Sequence, residues 1–306
     1  MDTRWRWSVL DVRMKQGLLI ISHGSRDEAW VTLVDEAIDK AVWPEGLPVA
    51  SSFLECVPNR SIQDGIDELE SQGVEQIGVV PLFVSSGSTH VDEIAWALGV
   101  KEEPLCDSDL ERFRVHADIV YGAPLDEDDS VYAMVAARLR ALDVDGKRDA
   151  VMLIAHGSPH EPFQTRWRDG LTRMAHELKA RNWCVVAGHA LLCCDDVGGR
   201  VQEMQSLLSA GREHTAGGRV AVVPIFLSQG YFTTKVIPER LSAVMPKSAP
   251  VRQDFLSSAL EIESQNGNAE MEADECALLY DGQTLLPHPA LTAWLEQEAR
   301  RVLSSS

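Results

Sequence analysis

Two short apolar runs, each present twice, constrain this chain more than any other feature. Residues 18–25 read LLIISHGS and residues 152–158 read MLIAHGS, with His23 and His156 at matching places. Residues 79–87 read VVPLFVSSG and residues 222–230 read VVPIFLSQG. A looser match sets residues 120–137 beside residues 280–297. Three matches in the same order mean one supersecondary plan used twice. The second copy has room for a longer loop around residues 211–218 (GREHTAGG).

Each copy alternates strand and helix. Residues 18–22 form a short, continuous apolar run, the pattern of a strand covered on both faces. Residues 27–42 then carry Trp30, Leu33, Val34, Ala37, Ile38 and Ala41 at helical spacing. Strands are expected at 49–54, 77–84 and 115–121, and helices at 61–72, from His90 to Leu98, and at 130–142. Gly73 is a helix stop. Such alternation implies an α/β fold with parallel sheets and right-handed crossovers. The expected domains are 17–142 and 149–303, joined by the turn-rich linker 143–148 (DVDGKR). Residues 261–275 are acidic and turn-rich, and a mobile excursion within the second copy is expected there. Residues 1–16 read as a disordered leader, with Met14 an alternative start.

Bulk properties narrow the partners. The formal net charge is −19 over 306 residues, a surface that repels nucleic acid and anionic membranes. No stretch of about 18 apolar residues exists to span a bilayer, and the N-terminus lacks a signal peptide's apolar run. The six cysteines include no C-x-x-C pair, so an iron–sulfur or structural zinc motif is not supported. A cytoplasmic protein with reduced thiols is expected. Adjacent Cys193 and Cys194 read as a buried strand end, because neighbouring cysteines rarely pair.

In open parallel sheets, ligands bind beyond the carboxyl ends of the strands. His23, Glu55 and His90 all lie just past such ends in the first copy. Two imidazoles and a carboxylate facing one cleft suit a divalent transition metal with open positions. A neutral imidazole is also a proton acceptor near neutral pH. The residues Gly24, Ser25, Ser85, Ser86, Gly87 and Ser88 are small, so a large flat ligand can approach the backbone, whose N–H groups suit carboxylates. Arg26 and Arg60 are candidates for local positive charge. In the second copy Thr233 aligns with His90, and Cys193 or Cys194 with Glu55. His156 survives there as a group satisfying backbone, while His160 and His288 read as surface or turn residues.

The segments HGSR at His23, FLE ending at Glu55, and VPLFVSSGSTHVDEI (residues 80–94) resemble the sirohydrochlorin chelatases, the class II family called CbiX or SirB. The resemblance covers nearly the whole chain as two tandem copies. It implies two chelatase-like domains, each a small parallel sheet flanked by helices, with the active site in the first and a degenerate second. It implies insertion of cobalt or iron into a reduced, carboxylate-rich tetrapyrrole in cobalamin or siroheme biosynthesis. No cofactor would be permanently bound, and Co2+ or Fe2+ would be a substrate. By position, His23 and His90 would hold the metal. His23 would also accept pyrrole protons, and Glu55 would assist. Arg26, Asn59, Arg60, Ser85, Ser86, Gly87, Ser88 and Thr89 would line the tetrapyrrole site. A monomeric pseudo-dimer is expected.

The family commonly has one residue between the glycine and the histidine, followed by Asp-Ile-Pro. Here two residues separate Gly87 from His90, and Val-Asp-Glu-Ile-Ala follows. A carrier that binds without turnover is the alternative this departure raises. A histidine phosphatase is disfavoured, because Ser22 stands where that chemistry needs an arginine.

Overall fold

The structure is a computed structural model and describes residues 14–126, 128–210, 217–242, 244 and 277–304. Most of the expected leader and all of the acidic stretch 261–275 lie outside these residues. The first copy runs β1 (Gln16–Ser22), α1 (Glu28–Asp39), β2 (Val49–Phe53), α2 (Ile62–Ser71), β3 (Gln76–Pro81), α3 (Thr89–Ala97), β4 (Asp118–Tyr121) and α4 (Asp129–Ala141). The second runs β5 (Ala150–Ala155), α5 (Phe163–Ala180), β6 (Val186–Leu191), α6 (Val197–Ala210), β7 (Val220–Pro224), a π-helical turn (Phe232–Val236), α7 (Ile237–Ser242), β8 (Leu278–Leu279) and α8 (Pro289–Leu303). The expected leader is too long at its inner end. Gln16 already belongs to β1, and the Lys15 carbonyl accepts from the N–H groups of Glu75 and Gln76.

Both sheets are parallel and share one order, β2-β1-β3-β4 and β6-β5-β7-β8. Leu18, Leu19, Ile20 and Ile21 are wholly buried, as a central strand covered on both faces requires. Asp27 opens α1 by accepting the Ala29 N–H. Ser61 and Asp64 bond reciprocally at the start of α2. Ile66, Leu69 and Ile94 then close on Leu19, Ile21, Ile77 and Val79. The chain leaves β1 toward β2 and returns on the other side as β3. The carboxyl ends of β1 and β3 therefore flank a topological switch point, where such sheets bind ligands.

The compact units differ from the two sequence copies. One unit gathers Met1–Met134, Gly157–Gly170 and Leu286–Ser306; the other gathers Val135–His156 and Leu171–Leu285. Helix α8, last in the second copy, belongs to the first unit. Its Leu291, Trp294, Leu295, Ala299 and Val302 are buried, and it packs on α1, β3 and β4. Leu291, Leu295 and Val302 each contribute about 1.5–3 kcal/mol by leaving water. Gly78 in β3 admits the helix, since a Cβ there would stand 2.7 Å from Val302 Cγ2. Within the second unit, Arg138 of α4 pairs with Asp281. Sequence periodicity finds repeats, but it does not reveal which sheet a terminal helix will cover.

Candidate functional site

The ladder of the first sheet continues past its strands. The N–H of Leu54 donates to Ser22 O (2.9 Å), that of Glu55 to His23 O (3.0 Å), and that of Leu82 to Ile21 O (2.8 Å). These bonds hold His23 at the end of β1. His90 arrives from β3 through the loop 82–88 and is the second residue of α3. The two imidazoles meet edge to face with centroids 4.9 Å apart, and the Phe83 ring lies 6.3 Å from His90. The extra residue after Gly87 leaves His90 against His23.

The partners of the two rings fix their protons. His23 Nδ1 lies 3.1 Å from the Gly24 carbonyl, which can only accept, so Nδ1 carries the hydrogen. His90 Nδ1 bonds the Glu93 carboxylate one helical turn on. That bond, against burial and aided by Ser108, holds the Glu93 carboxyl below its ordinary value. In the neutral ring this Nδ1–H arrangement leaves Nε2 as the lone pair, the form that takes a metal or a proton. Glu55 is exposed and sits 3.7 Å from His23 Nδ1, on the side away from Nε2. Among the described residues, no three of His, Cys, Asp and Glu gather closely enough to hold a metal. The mouth offers a pair of imidazoles.

The rest of the expected ligand surface is rearranged. Ser86 N–H and the hydroxyls of Ser85 and Ser86 donate to Asp126. Gly87 N–H donates to Ser85 Oγ, and Ser88 N–H to Ser85 O. The N–H groups of residues 86–88 are thus engaged inside the loop and are not a free cradle for carboxylates. Gly87 is small because a Cβ would meet Trp167 Cδ1 at 2.5 Å and Phe163 O at 2.9 Å, so the chain itself occupies that space. Arg60 forks onto Asp35 at 2.7 and 2.8 Å and lies over Phe53, so its charge is answered within the fold. Asn59 has a φ of 59°, a left-handed turn position that asparagine tolerates. Gly24 has a φ of 92°, and a Cβ there would collide with Glu55 O. Arg26 is exposed and forms no ion pair among the described residues, and the Ser88 and Thr89 hydroxyls make no hydrogen bond there.

The mouth of the second sheet repeats the backbone and changes the side chains. Cys193 N–H donates to His156 O (3.1 Å), as Glu55 does to His23 O. The counterpart of His90 is Phe232, one residue before the expected Thr233. The Phe232 ring meets His156 edge to face at 4.6 Å, and Phe226 lies 6.2 Å away, matching Phe83. Tyr280 donates to Thr233 O (2.6 Å) as Tyr121 does to Val91 O (3.0 Å), which fixes the register. A single residue separates Gly230 from Phe232, against two between Gly87 and His90. Sequence matching carried the wrong register across that difference. Cys193 and Cys194 are exposed and joined to each other, contrary to the expected buried, unpaired strand end.

Sequence reasoning missed Glu93, Ser108, Asp126 and Trp167. Only Glu93 left a trace, a carboxylate at i+3 from a histidine on a helix.

The comparisons agree with this architecture. A model of the CbiX family matches residues 17–142 and again 150–302. The chain belongs to the CbiX family. A sirohydrochlorin cobaltochelatase of Methanothermobacter thermautotrophicus is 28% identical over 133 residues, covering 42% of this chain and 92% of that relative. The structure of SirB from Bacillus subtilis with Fe3+ superposes with a TM-score of 0.62 at 19% identity, covering 95% of this chain and 96% of that one. The CbiX described as the terminal enzyme for biosynthesis of siroheme in denitrifying bacteria gives 0.50 at 15% identity, covering 93% and 98%. At such identities the structural likenesses speak to the fold.

Proposed function

We propose that this protein inserts a divalent metal, cobalt or iron, into sirohydrochlorin or a related reduced tetrapyrrole. The observation that carries the reading is the pair of imidazoles at the switch point, each with Nδ1 engaged by an acceptor and Nε2 left for a ligand. The M. thermautotrophicus relative, named for this reaction, supports it. Two imidazoles leave the metal's other positions to water and then to macrocycle nitrogens. Metal enters as M2+ and two pyrrole N–H protons leave, so overall charge balances. His23 is the proton acceptor of the reading, with exposed Glu55 beside it to pass protons outward. Arg26 and the Ser88 and Thr89 hydroxyls remain for substrate carboxylates. Arg60, Ser85, Ser86 and Gly87 serve the loop and the strand end instead.

The metal is a substrate, and no resident cofactor enters the reading. The reading places the reaction in cobalamin or siroheme biosynthesis, in the cytoplasm, in a monomer with two fused copies. No helix among the described residues is long and apolar enough to cross a membrane. The test is steady-state insertion of Co2+ and Fe2+ into sirohydrochlorin, followed by its absorption spectrum. A metal-dependent change faster than the uncatalysed reaction, and lost in His23→Ala and His90→Ala, supports the reading. A rate equal to the uncatalysed one ends it, and stoichiometric binding without turnover would mean a carrier.

A further inference from the structure

Four groups form one directed chain of hydrogen bonds behind His90. The N–H of Leu110 donates to Ser108 Oγ (3.1 Å), and the Ser108 hydroxyl donates to Glu93 Oε2 (3.1 Å). The other carboxylate oxygen of Glu93 takes the His90 Nδ1–H. The Ser108 hydroxyl accepts once and donates once, and each Glu93 oxygen has one partner, so the carboxylate cannot rotate without breaking a bond. Glu93 keeps little exposure, with 16% of its side chain open against 36% for His90. Its reach is set by the helix, because residues three apart lie one above the other on one face.

His23 lacks such a group. Its Nδ1 faces a neutral carbonyl at 3.1 Å, and Glu55 stays 3.7 Å off. In the second copy, three residues past Phe232 stands the exposed Lys235. The carboxylate accompanies the imidazole and is absent where a phenyl ring replaces it.

We propose that Glu93 is a positioning residue for His90, fixing the imidazole as its Nδ1–H tautomer and making its Nε2 the stronger metal ligand of the pair. A neutral imidazole free in water favours the proton on Nε2, the form that cannot bind metal there. The carboxylate reverses that preference and locks the ring plane. The Ser108 hydroxyl aims the carboxylate. The tether also accounts for how α3 tolerates the lengthened loop after Gly87, since the ring is held from its own helix. The inference rests on the metal-inserting reading of this site but is read out without tetrapyrrole.

The test uses the full-length protein and Co2+ alone. Long-range 15N–1H correlation at neutral pH, with His90→Ala for assignment, reports the His90 tautomer. The parent is expected to show Nδ1–H. Glu93→Ala should move His90 toward Nε2–H and raise the Co2+ dissociation constant about tenfold to a hundredfold. Glu93→Gln keeps an acceptor oxygen, so it should keep the tautomer and weaken Co2+ less, with Ser108→Ala weakest in effect. A Glu93→Ala protein with the parent's circular dichroism, tautomer and Co2+ affinity would overturn the proposal. If Glu93→Ala does not fold, unchanged Co2+ affinity in both Glu93→Gln and Ser108→Ala overturns it equally. Failure of the metal-inserting reading looks different: no turnover by the parent, with the tautomer and Co2+ effects intact.

Discussion

The two sheet mouths share a backbone and, at four matched positions, differ in two side chains. At the first, His23, Glu55, Phe83 and His90 follow the strand ends; at the second stand His156, Cys193, Phe226 and Phe232. The hydrogen bonds that shape them match within 0.1 Å at the strand ends, 3.0 Å for Glu55 and 3.1 Å for Cys193. The ring pairs keep their edge-to-face contact, at 4.9 and 4.6 Å. Geometry therefore survived where chemistry did not. A phenyl ring fills the place of an imidazole without disturbing the packing, because both are flat and of similar size. It offers no lone pair. The feet of the sheets differ as well. Gln16 donates to Gln76 at the start of the first sheet (2.6 Å), while Asp149 and Arg219 form an ion pair at the matching place in the second (2.6 Å).

The largest expected difference between the mouths is in turnover. His23→Ala or His90→Ala should lower metal insertion by about 10²–10⁴, while His156→Ala leaves it near the parent, as steady-state spectra would show. Equal losses from His156→Ala would mean that the second mouth takes part.

Next in size is the contrast between the feet. Arg219→Met leaves buried Asp149 without its cation and should cost about 3 kcal/mol, read by calorimetric unfolding. Gln16→Ala removes neutral hydrogen bonds to Gln76 and Leu303 O and should cost about 2 kcal/mol. Acid separates the two further. Burial opposes the ionisation of Asp149, but bonds from Arg219 and the Asp145 N–H outweigh it and hold its carboxyl below the ordinary value. The folded state then binds fewer protons than the unfolded chain in that range. The ion pair's contribution is full above the unfolded-state value near about 4 and is lost as pH falls through the lower folded-state value. The stability gap between the parent and Arg219→Met should narrow over that range, and a gap independent of pH would rule the assignment out.

A loss below that of the ion pair, about 2 kcal/mol, is expected from Gly24→Ala, from a left-handed φ and the collision with Glu55 O. Gly46→Ala, at a φ of 77° with open space around it, supplies the strain alone. It should cost about 1 kcal/mol by thermal melting. The smallest expected effect is a gain of binding. Phe232→His should create a second Co2+ site beside His156, visible in equilibrium dialysis as a second, looser equivalent. It should be looser because Lys235 stands where Glu93 does.

Much of this was legible in the sequence. The repeat, the parallel sheets and the pair His23 and His90 follow from apolar runs and their punctuation, because a strand end is marked by what comes after it. Other parts depended on partners distant in sequence. Arg60 reads as free charge, yet Asp35 takes both its terminal nitrogens. Ser85 and Ser86 looked like an open cradle until Asp126, some 40 residues on, accepted their hydrogens. Gly87 looked like room for a ligand until Trp167 filled it.

Two copies of an α/β plan, and two histidines past the ends of β1 and β3, are written in the residues alone. Those are local properties, written in periodicity and in the residues that stop each strand. Only the packed chain sets His90 against His23, Glu93 on the His90 Nδ1, and Phe232 in the matching place of the other sheet. It also decided that α8 covers the first sheet. Each of these depends on register, on one residue more or less in a loop, and on which face a helix buries. Register is settled only when side chains pack and hydrogen bonds find their acceptors.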